Sequence, residues 1–251
     1  MTQTLPSGYN PAQNLLQDKV IVVTGAGDGI GKEAALSFAR HGATVILLGR
    51  TVAKLEAVYD EIEAAGGAQP AIFPINFEGA CEKDYEDMAQ AIFDTFGKLD
   101  GILHNAALLG ERTPLSNYAT DTWQTVMQVN VNAPFMMTKA LLPIMEQADS
   151  ASIVFTGSTV GYEGRAFWGA YAASKAAQEN LMQTLAQELE GTTNIRANSV
   201  NPGGTRTRMR ASAYPAENPA DVKTPDQLMP LYLYLMGTDS VSITGQQFSY
   251  Q

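Results

Sequence analysis

The run Val20-Ile21-Val22-Val23-Thr24-Gly25-Ala26-Gly27-Asp28-Gly29-Ile30-Gly31-Lys32 decides how this chain folds. Its first five residues are β-branched and read as a strand covered on both faces. Residues 32–40 have helical character, so the glycines between them form a strand-to-helix turn. Glycine makes such a turn tight and lets backbone N–H groups approach a pyrophosphate, whose charge the helix N-terminus favours. A glycine cluster alone also fits an ordinary flexible turn. Its place at the first strand-to-helix junction of an alternating chain favours the nucleotide reading. The spacing is not G-x-G-x-x-G. The glycines the turn requires are Gly25, Gly29 and Gly31, with Gly27, Asp28 and Ile30 between them.

Outward from that turn, short apolar runs recur at residues 44–48, 71–75, 101–104, 152–155 and 196–200, with a last one near 243–248. Helical segments separate them. Residues 81–96 are the clearest: Tyr85, Met88, Ala89, Ile92, Phe93 and Phe96 make one apolar stripe, and Glu82, Lys83, Asp87 and Asp94 face water. Strand and helix in alternation predict an α/β fold, a doubly wound parallel sheet of about seven strands with helices on both faces. Residues 1–18 are polar and turn-rich and read as an N-terminal arm. Residues 19–251 read as a single domain, with residues 206–226 as a long, aperiodic substrate lid.

Composition removes whole classes of function. The 251 residues carry 16 basic and 26 acidic side chains, a net charge of −10, which disfavours nucleic acid and anionic lipid as partners. The longest apolar run, Leu231 to Met236, is too short to span a bilayer, and the first eighteen residues lack the charge and apolar stretch of a secretory signal. Cys81 is the only cysteine, so no internal disulfide and no cysteine-based metal cluster is expected, and no metal site is predicted. A cytoplasmic, compact protein is the expectation.

Tyr171 and Lys175 stand four apart in Tyr171-Ala172-Ala173-Ser174-Lys175, inside the helix-forming segment 169–190. They share a helix face, and a nearby ammonium lowers a phenol's pKa towards the range useful for proton transfer. Thirteen residues before Tyr171, at the end of a strand, Ser158 brings a hydroxyl to the carboxyl edge of the sheet, where α/β ligands bind. A Tyr-x-x-x-Lys pair alone fits a solvated helix face equally well. Its combination with the glycine turn does not.

With Asn105-Ala106-Ala107, Asn130 and Asn201-Pro202-Gly203, these residues resemble the short-chain dehydrogenase/reductase family over nearly the whole chain, and look most like its bacterial YciK-like oxidoreductases. The resemblance implies a single Rossmann-type domain and an NAD(P)-dependent oxidoreductase working on a carbonyl/alcohol pair. It implies Tyr171 as general acid/base and Ser158 as hydrogen-bond partner of the substrate carbonyl. Lys175 would bind the nicotinamide ribose and depress the Tyr171 pKa, and Asn130 would hold a water relaying protons. Pro202, Gly203, Thr205 and Thr207 would frame the nicotinamide. It also implies a homodimer or homotetramer packed through helices near residues 122–145 and 169–190, where Ala170, Ala172, Ala173, Ala176 and Ala177 permit close approach. A different class, a non-catalytic NAD(P)-binding redox sensor, would not need Ser158, Tyr171 and Lys175 together.

Two positions depart from the family pattern. Ala107 stands for a glycine, adding a methyl near the cofactor. Asn76, before Phe77, stands for an aspartate, still offering the adenine a carbonyl acceptor. Where NAD users carry an acidic residue after the second strand, this chain has Gly49, Arg50 and Thr51. An arginine fork and a hydroxyl suit a 2′-phosphate, which makes NADP the expected cofactor and NAD the lesser one. Asp28 would oppose that phosphate if it faced the ribose. Arg206, Arg208 and Arg210 form the one dense basic cluster, read either as local ion pairs or as attraction for an anionic substrate. Met209 and Met229 flank the lid within reach of substrate. His104 reads as structural, and Cys81 as a small helix residue.

Overall fold

The computed structural model describes residues 2–250. Its strands are β1 (Val20–Thr24), β2 (Thr44–Gly49), β3 (Ala71–Pro74), β4 (Gly101–His104), β5 (Ala151–Thr156), β6 (Ile195–Asn201) and β7 (Gln247–Ser249). They form one parallel sheet ordered β3-β2-β1-β4-β5-β6-β7. The helices are α1 (Gly29–Arg40), α2 (Val52–Ala64), α3 (Glu82–Phe96), α4 (Thr120–Met127), α5 (Ala133–Met145), α6 (Gly169–Leu189), α7 (Arg208–Ala213) and α8 (Met229–Met236). Strand order reverses between β1 and β4, and a crevice opens outside the carboxyl ends of strands at such a reversal.

The strands look uniformly apolar in sequence because each face of the sheet has its own core. Val20, Val22, Ile46, Leu48, Ile102 and Ile153 point into one cluster with Tyr85, Met88 and Ile92 of α3, Met137 and Leu141 of α5 and Met182 of α6. Ile21, Val23, Val45, Leu47, Leu103 and Val154 point into the other, with Phe38 of α1, Val58 of α2 and Leu231 of α8. Helix α8 buries every residue except Pro230, as a helix apolar all round must.

Four expectations are corrected here. Phe93 is 46% exposed and leaves the α3 stripe, whose buried members are Tyr85, Met88, Ala89 and Ile92. The last strand lies at Gln247–Ser249, not from 243, because Ile243 and Gly245 turn back to bond Ser240 and Ala197. The segment 206–226 is no structureless loop: it contains α7, capped by Thr207, and short turns at Pro219–Asp221 and Pro225–Leu228. Its long-range ties include a parallel bridge between Thr205 and Lys223.

The fourth concerns the arm, which is built into the domain. Gln3 pairs in parallel with Phe248, its N–H donating to the Gln247 carbonyl at 2.7 Å and its carbonyl accepting from Ser249 at 2.9 Å. Leu5, Tyr9 and Leu15 pack on the second core, and Leu16 is fully buried in it. Truncating a fully buried leucine removes transfer energy and leaves a cavity, so Leu16→Ala lowers unfolding stability by about 2–5 kcal/mol. Chemical denaturation checks this, and a change under 1 kcal/mol would mean that the arm contributes nothing to the fold.

Candidate active site

Thr24, the last residue of β1, ties the switch point together. Its Oγ1 donates to the Leu103 carbonyl at 3.2 Å and accepts from the N–H groups of Asn105 and Ala106 at 2.9 and 3.0 Å. The Asn105 amide returns to the Thr24 carbonyl at 3.2 Å. These bonds fix the glycine turn against the Asn105-Ala106-Ala107 segment. Gly25 and Gly29 have φ of 69° and 55°, a region that favours glycine. Gly31 has ordinary dihedrals, but a Cβ there would strike the Gly25 carbonyl and come within 2.6 Å of Asn105 Nδ2. Asp28 caps α1, accepting from the Gly29 N–H at 2.8 Å.

A cavity of about 700 Å³ runs from this turn along the carboxyl ends of the strands. Of the residues expected at the site, Gly25, Gly27, Asp28, Gly29, Ile30, Arg50, Thr51, Asn76, Phe77, Asn105, Ala106, Ala107, Ser158, Tyr171, Lys175, Pro202, Gly203, Thr205 and Thr207 line it. Gly31 and Asn130 do not. Gly31 stands behind the turn. Asn130 is fully buried in a widened helical turn (Gln128–Asn132) between α4 and α5. Its Oδ1 accepts from the Leu108 N–H at 2.8 Å, and its Nδ2 donates to the Leu108 carbonyl and to Ser174 Oγ, each at 2.9 Å. The side chain therefore has protein partners on both ends. The Ala107 methyl packs with Val160, Trp168 and Tyr171.

At the far end of the cavity Ser158 and Tyr171 line the wall together. Lys175 Nζ lies 5.7 Å from the Tyr171 ring centre and donates to the Thr156 carbonyl at 2.7 Å and Gln178 Oε1 at 3.0 Å. Burial pushes the Lys175 ammonium down to about 8, with Glu179 partly opposing it. The phenol does not follow the expected direction: burial pushes Tyr171 up to about 12, against a small lowering by Ser158. Lys175 spends its bonds on Thr156 and Gln178, so desolvation dominates at Tyr171.

The expected ambiguities among the other residues also resolve. Asp28 pairs with Lys54 Nζ at 2.6 Å and lies 3.7 Å from Arg208, and chiefly Lys54 holds its carboxyl below the usual range. Arg210 is locked to Glu217 by two bonds, and Arg206 reaches the Ala220 carbonyl. Met209 lines the cavity, whereas Met229 is buried in the second core. His104 is buried against Phe155 and Thr138 and held neutral, its pKa lowered by burial to about 3. Cys81 is the N-cap of α3, not a residue inside it.

Sequence reasoning missed Lys54, Trp168, Arg165 and Tyr214, all of which line the cavity. A second cation one turn after Arg50 was a readable signal for Lys54. Trp168 and Tyr214 are far apart in sequence and meet through tertiary packing, with ring centres 5.9 Å apart.

Glycine turn, Ser-Tyr-Lys cluster and parallel sheet together define a dinucleotide-dependent oxidoreductase fold and site. The family model for short chain dehydrogenase matches residues 19–218, and the chain belongs to that family. It is 53% identical over 243 residues to the uncharacterised oxidoreductase YciK of Escherichia coli K12, covering 97% of this chain and 96% of that one. A short chain dehydrogenase structure from Pseudomonas syringae is 54% identical, with a TM-score of 0.95 over 97% of this chain and 98% of the other. Another, from Escherichia coli CFT073 in complex with NADPH, is 54% identical, with a TM-score of 0.93 over 95% and 99% of the two chains.

Proposed function

We propose that this chain is an NADP-dependent reductase or dehydrogenase interconverting a carbonyl compound and its alcohol, with Tyr171 as general acid/base. The observation that carries this reading is the meeting of Ser158, Tyr171 and Lys175 at one end of a cavity whose other end is the glycine turn. The turn fits a dinucleotide: positive φ at Gly25 and Gly29 and the space a Cβ would fill at Gly31 leave backbone N–H groups open to a pyrophosphate. The nicotinamide, when bound, supplies or accepts the hydride.

The protein's own groups handle the proton and the orientation. Ser158 donates to the carbonyl oxygen, and Tyr171, neutral through physiological pH, delivers the proton. Lys175 has three N–H donors, two of them committed to Thr156 and Gln178, which leaves one for the nicotinamide ribose. Asn130 acts as a positioning residue: it holds the Leu108 backbone and Ser174, one residue before Lys175. Pro202, Gly203, Thr205 and Thr207 frame the nicotinamide, and Asn76 and Phe77 border the adenine.

Three cations, Arg50, Lys54 and Arg208, face two carboxylates, Glu78 and Asp28, at the ribose end. That excess of positive charge, with Arg50 exposed and reaching Glu78 at 2.7 Å, supports NADP over NAD. Charge-assisted hydrogen bonds of about 1.5–3 kcal/mol give a preference of roughly 10- to 100-fold. Titration with NADPH and NADH tests it: Arg50→Ala and Lys54→Ala should each weaken NADPH selectively. Equal wild-type affinities, or equal losses for both cofactors, would refute the assignment.

The same reading carries a homodimer or homotetramer, with Phe135 of α5, half exposed, as a side chain a second copy covers. Ala170 of α6 is buried within the chain and takes no part. Among the described residues no helix is long and apolar enough to cross a membrane, and the acidic, single-cysteine composition supports a cytoplasmic location.

A further inference from the structure

Beyond Tyr171 the cavity continues as an apolar box. Val160, Trp168, Tyr171 and Ala213 form its buried cluster, with Leu109 and Met209 packed against them. The lid helix α7 closes one side, ending at Tyr214. Three cations surround that end, and they are not equivalent. Arg210 stacks 3.8 Å from the Tyr214 ring centre, but Glu217 neutralises it. Arg112 sits behind the wall, its guanidinium 4.8 Å from the Trp168 ring centre and 5.1 Å from that of Tyr214, with one N–H on the Ala213 carbonyl. Arg165 lines the cavity itself and gives one N–H to the Tyr214 hydroxyl at 3.0 Å. Among the described residues, no carboxylate lies within 4 Å of Arg112 or Arg165.

In a chain of net charge −10 these two guanidiniums stand out. Acidic side chains are abundant, yet at this end of the cavity Arg112 and Arg165 are held by aromatic faces, a hydroxyl and a carbonyl. Such partners orient a guanidinium without cancelling its charge. The N–H groups of Arg165 that do not bond Tyr214 form a planar fork of the kind that takes a carboxylate bidentately. Rings connect it to the reacting centre: Tyr171 to Trp168 is 5.8 Å between centres, and Trp168 to Tyr214 is 5.9 Å. Between Arg165 and Tyr171 the cavity wall is the apolar cluster of Val160, Trp168 and Ala213.

We propose that the substrate is an oxo acid, a carbonyl compound whose extended or aromatic apolar body ends in a carboxylate, and that Arg165 is the residue that selects it. This rests on the carbonyl-reductase reading above and adds the substrate class. The role passes to Arg165 from the lid arginines, since Arg210 is neutralised, Arg208 points to Asp28 and Arg206 to Ala220.

The test uses matched pairs: 4-formylbenzoate with its methyl ester, and 6-oxohexanoate with its methyl ester, each assayed with NADPH. Wild type should favour the acid over the ester by about 10- to 100-fold in kcat/KM, mainly through KM. Arg165→Ala should bring that ratio close to one, and Arg165→Lys should keep part of it. A wild-type ratio near one, or a ratio that survives Arg165→Ala, overturns the proposal. Calorimetric binding of the two acids to the enzyme–NADP⁺ complex is a second readout independent of turnover. Binding that is lost in Arg165→Ala supports the carboxylate site even where no pair is turned over, in which case it is the carbonyl-reductase reading that fails. Absence of acid binding in wild type overturns the substrate class.

Discussion

Tyr171→Phe lowers turnover of any accepted carbonyl substrate by about 10²–10⁴ and leaves NADPH binding near wild type. The phenyl ring keeps the packing against Trp168 and Val160, so the fold and the cavity persist. Only the phenolic hydroxyl in the cavity wall is gone, and with it the proton donor. The pH profile gives the same assignment a second edge. Burial holds Lys175 at about 8 and Tyr171 at about 12, so below pH 8 both carry their protons. With Lys175 as the charged neighbour of the donor, kcat/KM for carbonyl reduction is level on the acid side. It then falls as pH rises through about 8, when the ammonium is lost. A phenylalanine variant with wild-type turnover would remove Tyr171 from the chemistry, and a profile level through pH 9.5 would remove Lys175 from the titration.

The second large effect is expected at Gly31. Alanine there would put its methyl on the Gly25 carbonyl and within 2.6 Å of Asn105 Nδ2, both backed by the Thr24 bonds that close the switch point. Backbone cannot give way as a flexible side chain does, so α1 and the turn separate. Overpacking of this kind costs about 1–3 kcal/mol of stability. A cradle displaced by an ångström loses on the order of 10²-fold in function. NADPH titration by fluorescence should therefore show affinity falling by about that factor. Gly79→Ala is the control, since a Cβ there meets nothing within 4 Å. If Gly31→Ala binds NADPH like wild type, the turn is not the cradle described here.

Strands were legible wherever a buried run was bounded by glycine or polar residues. Strand β1 and β4 have the predicted limits, and β2, β5 and β6 extend them by one or two residues. What escaped depends on partners distant in sequence. The arm looked detached because its pairing residue, Gln3, meets Phe248. Helix α7 has no apolar period and is held by Thr207 at its cap, by Glu217 on Arg210 and by Arg112 on its last carbonyl. Phe93 kept the helical spacing but projects past the edge of the core. In the site, residues with a fixed backbone context were readable, including the glycines, Ser158, Tyr171 and Lys175. The direction of the Tyr171 shift was not, because spacing places a cation nearby but says nothing of how dry the phenol is. Arg112 and Arg165 were unreadable for a similar reason. Their partners, Trp168, Tyr214 and the Ala213 carbonyl, are brought to them by tertiary packing.

The seating of the arm beside β7 also bears on biosynthesis. Thr2 and Gln247, which hydrogen-bond at 3.3 Å, are 245 positions apart. Leu15 and Leu16 are made before most of the domain, yet part of their lodging, Gly237 and the strand around Phe248, lies far later in the sequence. Until that strand is made, the arm has nothing to pair with. Docking of the arm is thus a late, non-local step of the kind that slows folding and leaves intermediates prone to aggregation. A solubilising tag fused ahead of Thr2 would act on that same late step.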